Sequence, residues 1–186
     1  MSAASTRFRA RLRHRIGEVV RAERGAAAVE MALVATPFLA LLFGIVEIGM
    51  VFLISASLEN GMDNAARTIR TGQLQSGASP TAAAFKTSIC NSFGWFQADC
   101  TAHLSVDVRT YATFAAVTSP PVVNNGVFNP AALTFTPGTA NSIVVVRAYY
   151  QWTLIAPLFN QALQQLNGGV ALLTTTAAFR NEPYSG

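Results

Sequence analysis

Arg24-Gly25-Ala26-Ala27-Ala28-Val29-Glu30-Met31 is the stretch on which the reading of this chain turns. A basic segment ends there in one glycine, and a long apolar run begins immediately after it. A single carboxylate, Glu30, stands five residues past the glycine. A secretory signal places its small-residue cleavage site after the apolar core. Here the small residues precede the core, so cleavage at this point would leave the apolar segment on the mature chain.

Working outward, the charge distribution supports a membrane reading. Only 12% of the 186 residues are charged and 51% are hydrophobic, against about 25% charged in an ordinary soluble domain. Residues 1–25 carry seven arginines against Glu18 and Glu23, a net of +5. Residues 26–186 carry six basic and seven acidic side chains, a net of −1. The high isoelectric point therefore belongs to the first 25 residues. A basic arm can signal nucleic-acid binding, but an apolar run directly behind it reads instead as a positive-inside membrane anchor. That places the N-terminus in the cytoplasm and the C-terminal part across the membrane, with no nucleic-acid partner.

Residues 31–46 are uncharged, Glu47 interrupts, and 48–58 are uncharged again. As a helix, residues 31–58 would extend about 42 Å at ~1.5 Å per residue, more than the ~30 Å hydrocarbon core requires. Pro37 lies inside and should kink or loosen the helix. Beyond Leu58 the pattern becomes amphipathic. Leu58, Met62, Ala65, Ala66 and Ile69 share one face, and Glu59, Asn60, Asp63, Asn64, Arg67 and Arg70 lie mostly on the other. Gly72 is a natural stop. The expectation is one helix over about 27–71, with a break into two near Gly61 as the alternative.

The remainder reads as a small α+β domain. Ser79-Pro80 resembles an N-cap and first helical residue for a short helix over 81–92. Alternating apolar residues at Leu104, Val106 and Val108 predict a half-buried strand over about 102–111, with His103 facing solvent. Residues 112–141 are rich in Pro, Asn, Gly and Thr and predict a long loop, which suggests an exposed functional segment or an unrecognised element. Strands follow over 142–154 and 170–179, with a short helix from Pro157 carrying Leu158, Ala162, Leu163 and Leu166 on one face. Tyr149, Tyr150 and Trp152 are expected to pack in the core. The organisation is thus a basic cytoplasmic leader (1–25), a long helix (26–71) spanning the bilayer to about residue 58, and an extracytoplasmic α+β domain (72–186). Its three strands are expected to form an antiparallel sheet.

Few residues invite chemistry. No catalytic motif, dinucleotide fingerprint, phosphate-binding loop or zinc-ligand spacing is present in the sequence, so neither cofactor nor metal is expected and the chain does not read as an enzyme. Cys90 and Cys100 are the only cysteines. On the oxidising side of the membrane they can form a disulfide joining the short helix to the first strand; two buried thiols are the alternative. Glu30 in an apolar helix costs about 2.5–3.5 kcal/mol at the bilayer centre and less near its edge. Cleavage after Gly25 would create an α-ammonium four residues away, roughly 6 Å along the axis, which would offset that cost. Without cleavage, the helix N-terminal dipole is the remaining stabiliser. Glu47 lies 17 residues on, about 260° around the helix from Glu30. It is open to two readings: an intramembrane contact with a partner subunit, or a carboxylate at the outer headgroup layer.

The run Gly25-Ala-Ala-Ala-Val-Glu-Met-Ala-Leu-Val-Ala-Thr-Pro-Phe-Leu, then Phe43-Gly-Ile-Val-Glu-Ile-Gly, then Leu58-Glu-Asn and Ala65-Ala-Arg, resembles the TadE family, pseudopilins of the tight-adherence (Tad) type IV pilus system. The ending Phe179-Arg-Asn-Glu-Pro-Tyr resembles those of TadE-like and TadG-like proteins. The resemblance is carried by residues 24–72, with Met31 standing where pilin-type signals commonly have Phe or Tyr. It implies a pilin-like fold and leader removal between Gly25 and Ala26 by a membrane prepilin peptidase. It also implies an assembly role for Glu30, and partners among other pilins, pseudopilins and Tad inner-membrane assembly proteins. The implied location is the bacterial inner membrane, and the implied function is that of a minor pilin or pseudopilin in an adhesion pilus. Two other readings stay open: an uncleaved scaffold of the same apparatus, and a membrane-tethered enzyme or ligand-binding module with its site in the 112–141 loop.

Overall fold

The computed structural model describes residues 23–77, 80–155 and 160–184. Most of the expected leader (1–22), Ser79 as a cap, and Pro157 and Leu158 as the start of a helix lie outside these residues. The chain divides into two compact units, Met1–Ile45 and Val46–Gly186.

Helix α1, Glu23–Arg70, runs through 48 residues. In the first unit its described residues expose apolar side chains on every side, among them Val29, Met31, Leu33, Val34, Phe38 and Ile45. A helix hydrophobic all round requires an apolar surrounding. Among the described residues this is the one helix long and apolar enough to cross a membrane, with a mean hydropathy of 2.5. The helix continues through Pro37. Immediately before the proline, Thr36 Oγ1 donates to the Ala32 carbonyl at 2.7 Å, the kind of side-chain bond that helps membrane helices tolerate a proline.

In the second unit, the rest of α1 buries one stripe: Ile54, Leu58, Met62, Ala65 and Ile69, each at most 2% exposed. Their i, i+4, i+8, i+11, i+15 spacing is that of one helical face. Glu59, Asn60, Asp63, Asn64 and Arg67 are exposed opposite. The stripe packs against an antiparallel sheet of three strands, β1 (Leu104–Tyr111), β4 (Ile143–Thr153) and β5 (Val170–Arg180), in the order β1-β4-β5. The register pairs Leu104 with Tyr150, Val106 with Ala148 and Val108 with Val146. Alternation therefore sends Leu104, Val106, Val108, Val144, Val146 and Tyr150 toward the helix, and all of them join its core cluster. The fold is α+β, a long N-terminal helix on a three-stranded antiparallel sheet.

The break considered near Gly61 does not occur. Gly61 instead lies directly against α3 (Ala82–Cys90): a Cβ placed on it would lie 2.5 Å from the Ile89 carbonyl oxygen. Replacing a helix-interior glycine normally gains up to about 1 kcal/mol, but backbone is a neighbour that cannot rotate away. Gly61→Leu is therefore expected to destabilise the protein by about 1–3 kcal/mol, read as a lowered unfolding midpoint in detergent solution. An unchanged or raised midpoint would show that the two helices do not approach this closely.

Several boundaries differ from the sequence expectation. Thr81, not Ser79, caps α3, its side chain accepting from Ala84 N at 3.2 Å. The segment between that helix and β1 holds a 3-10 turn, Asn91–Phe96, and a further helix, α4 (Gln97–His103). His103 thus ends a helix rather than starting a strand; it is exposed, as expected, with Nδ1 3.1 Å from Asp99 Oδ1. Leu166, expected on a helix, forms an antiparallel bridge with Val170, and the described helix there, α5, covers Asn160–Leu163 only. The short helix α2, Gln73–Ser76, follows the left-handed Gly72.

The outer sheet face is where the sequence reading fails most. Asp107 and Arg147, on the face opposite α1, are 0% and 4% exposed. The 112–141 segment covers them. It contains 3-10 turns at Phe114–Ala116 and Pro130–Ala132 and a two-residue hairpin, β2 (Val123–Asn124) with β3 (Val127–Phe128). It then runs beside β1, where Val108 N donates to the Thr134 carbonyl and Thr136 N to the Val108 carbonyl, both at 2.8 Å.

Candidate functional sites

The junction proposed from sequence lies within α1. Gly25 is half-buried and Ala26 exposed, both helical, and Glu30 is exposed on the helix surface. Glu30 follows Ala26 by four residues, so the two lie near one face, about 6 Å apart along the axis.

Glu47 behaves differently. It is 2% exposed, and its carboxylate is engaged inside its own unit. Trp152 Nε1 donates to Oε1 at 3.2 Å, and the backbone N–H of Ile155 donates to Oε2 at 2.9 Å. The sequence offered a partner subunit or the headgroup layer as its surroundings; the structure gives it the end of β4. Two donors on one carboxylate supply the compensation that a buried charge requires. Trp152 also meets Phe96 edge-on, with ring centroids 6.3 Å apart, and Phe96 meets Trp95 at 5.5 Å.

Cys90 and Cys100 are joined, with a Cα–Cα separation of 5.6 Å. The bond ties the end of α3 to α4, rather than directly to β1, because α4 occupies the stretch read from sequence as loop. Both cysteines are fully buried. In the chain-entropy account, closing so short a loop contributes somewhat under about 3 kcal/mol.

On the outer face, Asp107 organises a buried polar cluster. Arg109 Nε donates to both Asp107 oxygens at 2.9 Å. Arg147 Nη1 lies 3.4 Å from Asp107 Oδ2 while Nη2 donates to the Thr118 carbonyl at 2.8 Å. Thr134 N donates to Asp107 Oδ1 at 2.8 Å, and Arg109 also donates to the Ala132 carbonyl. One carboxylate and two guanidiniums thus fasten the segment from 118 to 134 onto the sheet. Beside it lies an open depression of about 380 Å3, bordered by Gly126, Phe128, Gln151, Asn167 and Val170. Its lining has no ionisable side chain. Among the described residues, no three His, Cys, Asp or Glu side chains gather as a metal site.

The C-terminal motif clasps the end of α1. Glu182 N donates to the Arg70 carbonyl at 2.8 Å, and the two side chains form an ion pair at 3.2 Å. Asn181, 1% exposed, donates to the carbonyls of Pro137 and Thr139. The Tyr184 ring lies over Gly72, where a Cβ would come within 2.5 Å of it. This ending therefore has a structural role of its own.

Tyr150, at the core end of β4, donates to Asp99 Oδ2. Burial first, and the neighbouring carboxylate second, push its phenol well above the usual tyrosine value. A phenol raised in the folded state stabilises the fold below the unfolded value near pH 10. That contribution is lost as pH climbs through the folded value. Absorbance titration of the four tyrosines should show Tyr149, which burial also raises, and Tyr150 ionising late, Tyr150 last and together with alkaline unfolding, and Tyr150→Phe should remove that last step. Reversible ionisation of all four near pH 10 with circular dichroism unchanged would refute the assignment.

A family model described as TadE-like protein matches residues 25–67, the family that the sequence resembles over 24–72. The match covers the apolar part of α1, Glu30, Glu47 and most of the buried stripe, and stops before the α+β domain. No curated protein matches the chain, and no solved structure matches it.

Proposed function

We propose that the chain is a pseudopilin or minor-pilin precursor that takes part in assembly of a Tad-type adhesion pilus. The TadE-like match over residues 25–67 associates it with Tad pilus systems, and its one apolar N-terminal helix is compatible with a single-pass membrane protein. The observation that carries the finer reading is the placement of Gly25-Ala26 at the head of a helix that is apolar on all sides, with Glu30 one turn further on. The leader is cytoplasmic, the helix crosses the inner membrane, and the α+β domain stands on the periplasmic side. A disulfide in that domain accords with an oxidising compartment.

In this reading a prepilin peptidase cuts between Gly25 and Ala26. The glycine suits that role, since it weakens the helix locally by about 1 kcal/mol relative to alanine and lets a protease approach the backbone. The new ammonium of Ala26 pairs with Glu30 of its own chain or of a neighbouring subunit. Either pairing lowers the cost of both charges in an apolar surrounding. The apolar helix then packs among those of other pilins while the domain faces outward.

Intact mass and N-terminal sequencing of protein extracted from a host that carries the peptidase test the reading. A mature chain beginning at Ala26 is expected, and Gly25→Leu should leave the leader in place. Wild-type protein that keeps its leader while Tad pili assemble would favour the uncleaved scaffold instead.

A further inference from the structure

The second unit ends its α1 face in an unusual way. Phe52 and Leu53 are exposed on the helix, and only from Glu59 onward do the exposed positions turn charged or amidic. Six residues before Leu53, about 9 Å lower along the axis, Glu47 holds the end of β4 through Trp152 and Ile155. The domain therefore reaches down beside helix residues that are still apolar on their exposed side.

What the domain presents at that level is aromatic and apolar. Trp95 is 90% exposed and Ile155 71% exposed. Trp95 stacks edgewise on Phe96 and Phe96 on Trp152, so the three rings form one continuous row ending at the Glu47 carboxylate. The Trp95 loop is not slack. It lies between Cys90 and Cys100, closed by the disulfide, and is turned by Gly94 at φ 54°, a conformation that disfavours side-chain-bearing residues. A covalently closed loop thus holds an indole almost fully outward, at the far end of the ring row that reaches Glu47.

We propose that this row is an interfacial anchor: Trp95, Phe96 and Ile155 sit in the headgroup region of the phospholipid bilayer and hold the domain down on the membrane that α1 crosses. Tryptophan is the side chain that favours the boundary between hydrocarbon and headgroups, with its ring on the apolar side and its N–H toward water. The polar zone on each side of the hydrocarbon adds about 5–8 Å, comparable with the rise between Glu47 and the last exposed apolar residues of the helix. Continuity with the spanning helix selects the bilayer as occupant, because the row adjoins helix positions that would themselves face lipid. The inference rests on the single-pass membrane reading of α1.

The test uses the full chain reconstituted in vesicles of phosphatidylethanolamine and phosphatidylglycerol. With two tryptophans in the chain, the emission of Trp95 is the difference between wild type and Trp95→Phe. The expected result is a blue-shifted component, shielded from acrylamide and quenched more by lipids brominated near the headgroup end of the acyl chain than by those brominated deep in the core. A red-shifted, acrylamide-accessible component on protein that floats with the vesicles would overturn the anchor and leave the spanning reading intact. Wild-type protein that fails to float would overturn both. Shielding that vanishes when the protein is diluted with excess lipid would assign Trp95 to a second protein copy and overturn the lipid assignment.

Discussion

Asp107→Ala is expected to cost the domain about 3–5 kcal/mol, the range for removing one partner from a buried ion pair. Asp107 is 0% exposed and Arg147 4%, so the substitution leaves a buried guanidinium without its counter-charge. A second guanidinium, that of Arg109, stands beside it. The loss extends beyond the pair, since Thr134 N also donates to the carboxylate. Removing Asp107 should therefore release the covering segment before the helix–sheet core yields. Limited proteolysis of the detergent-solubilised variant should show new cleavage within 112–134, together with a lowered unfolding midpoint. Asp107→Asn, which keeps an acceptor for Thr134, should be milder. A variant with wild-type midpoint and proteolytic pattern would mean that the cluster is incidental to the fold.

This cluster also marks where sequence reasoning stops. In β1 the alternation of Leu104, Val106 and Val108 correctly identified the face that meets α1, because burial on one face has period two. By the same period-two logic the alternate positions, Asp107 and Arg109 among them, fall on the opposite face, where polar residues read as solvent-facing. Nothing in the sequence said that a segment rich in Pro, Asn and Gly would lie over that face, since a covering layer without its own periodicity leaves no pattern. The buried stripe of α1 was legible for the opposite reason. Leu58, Met62, Ala65 and Ile69 repeat with the helix and stand opposite charges, so the helix was expected to have something packed on it. The missed helix α4, Gln97–His103, mixes Gln, Asp, Cys, Thr and His with only two alanines and shows no apolar stripe. The TadE-like likeness over residues 25–67 was visible through residue type and spacing alone. The partners of Glu47 were not, because Trp152 lies 105 residues away in sequence and no local pattern links them.

Glu47→Ala is expected to have the second large effect, because two donors lose one acceptor at the same time. The Trp152 indole N–H and the Ile155 backbone N–H both end on this carboxylate, and a buried donor left unsatisfied costs about 1–3 kcal/mol. A loss of about 1–3 kcal/mol follows from the buried indole N–H, while the part-buried Ile155 N–H can turn to water and adds little. Glu47→Gln should recover part of it, since the amide keeps one acceptor oxygen while turning an NH2 group toward the other donor. The measurement is the unfolding midpoint in micelles, with Trp152 emission followed in a Trp95→Phe background. In Glu47→Ala the indole should report a loosened β4 end, and in Glu47→Gln a smaller change. The competing role read from sequence, a contact with another subunit, predicts a different outcome. There the alanine variant would keep its midpoint and its Trp152 emission, and would lose only the capture of pilin partners from detergent extracts. Because the intrachain bonds occupy both carboxylate oxygens, we expect the stability loss, with any loss of capture following from it.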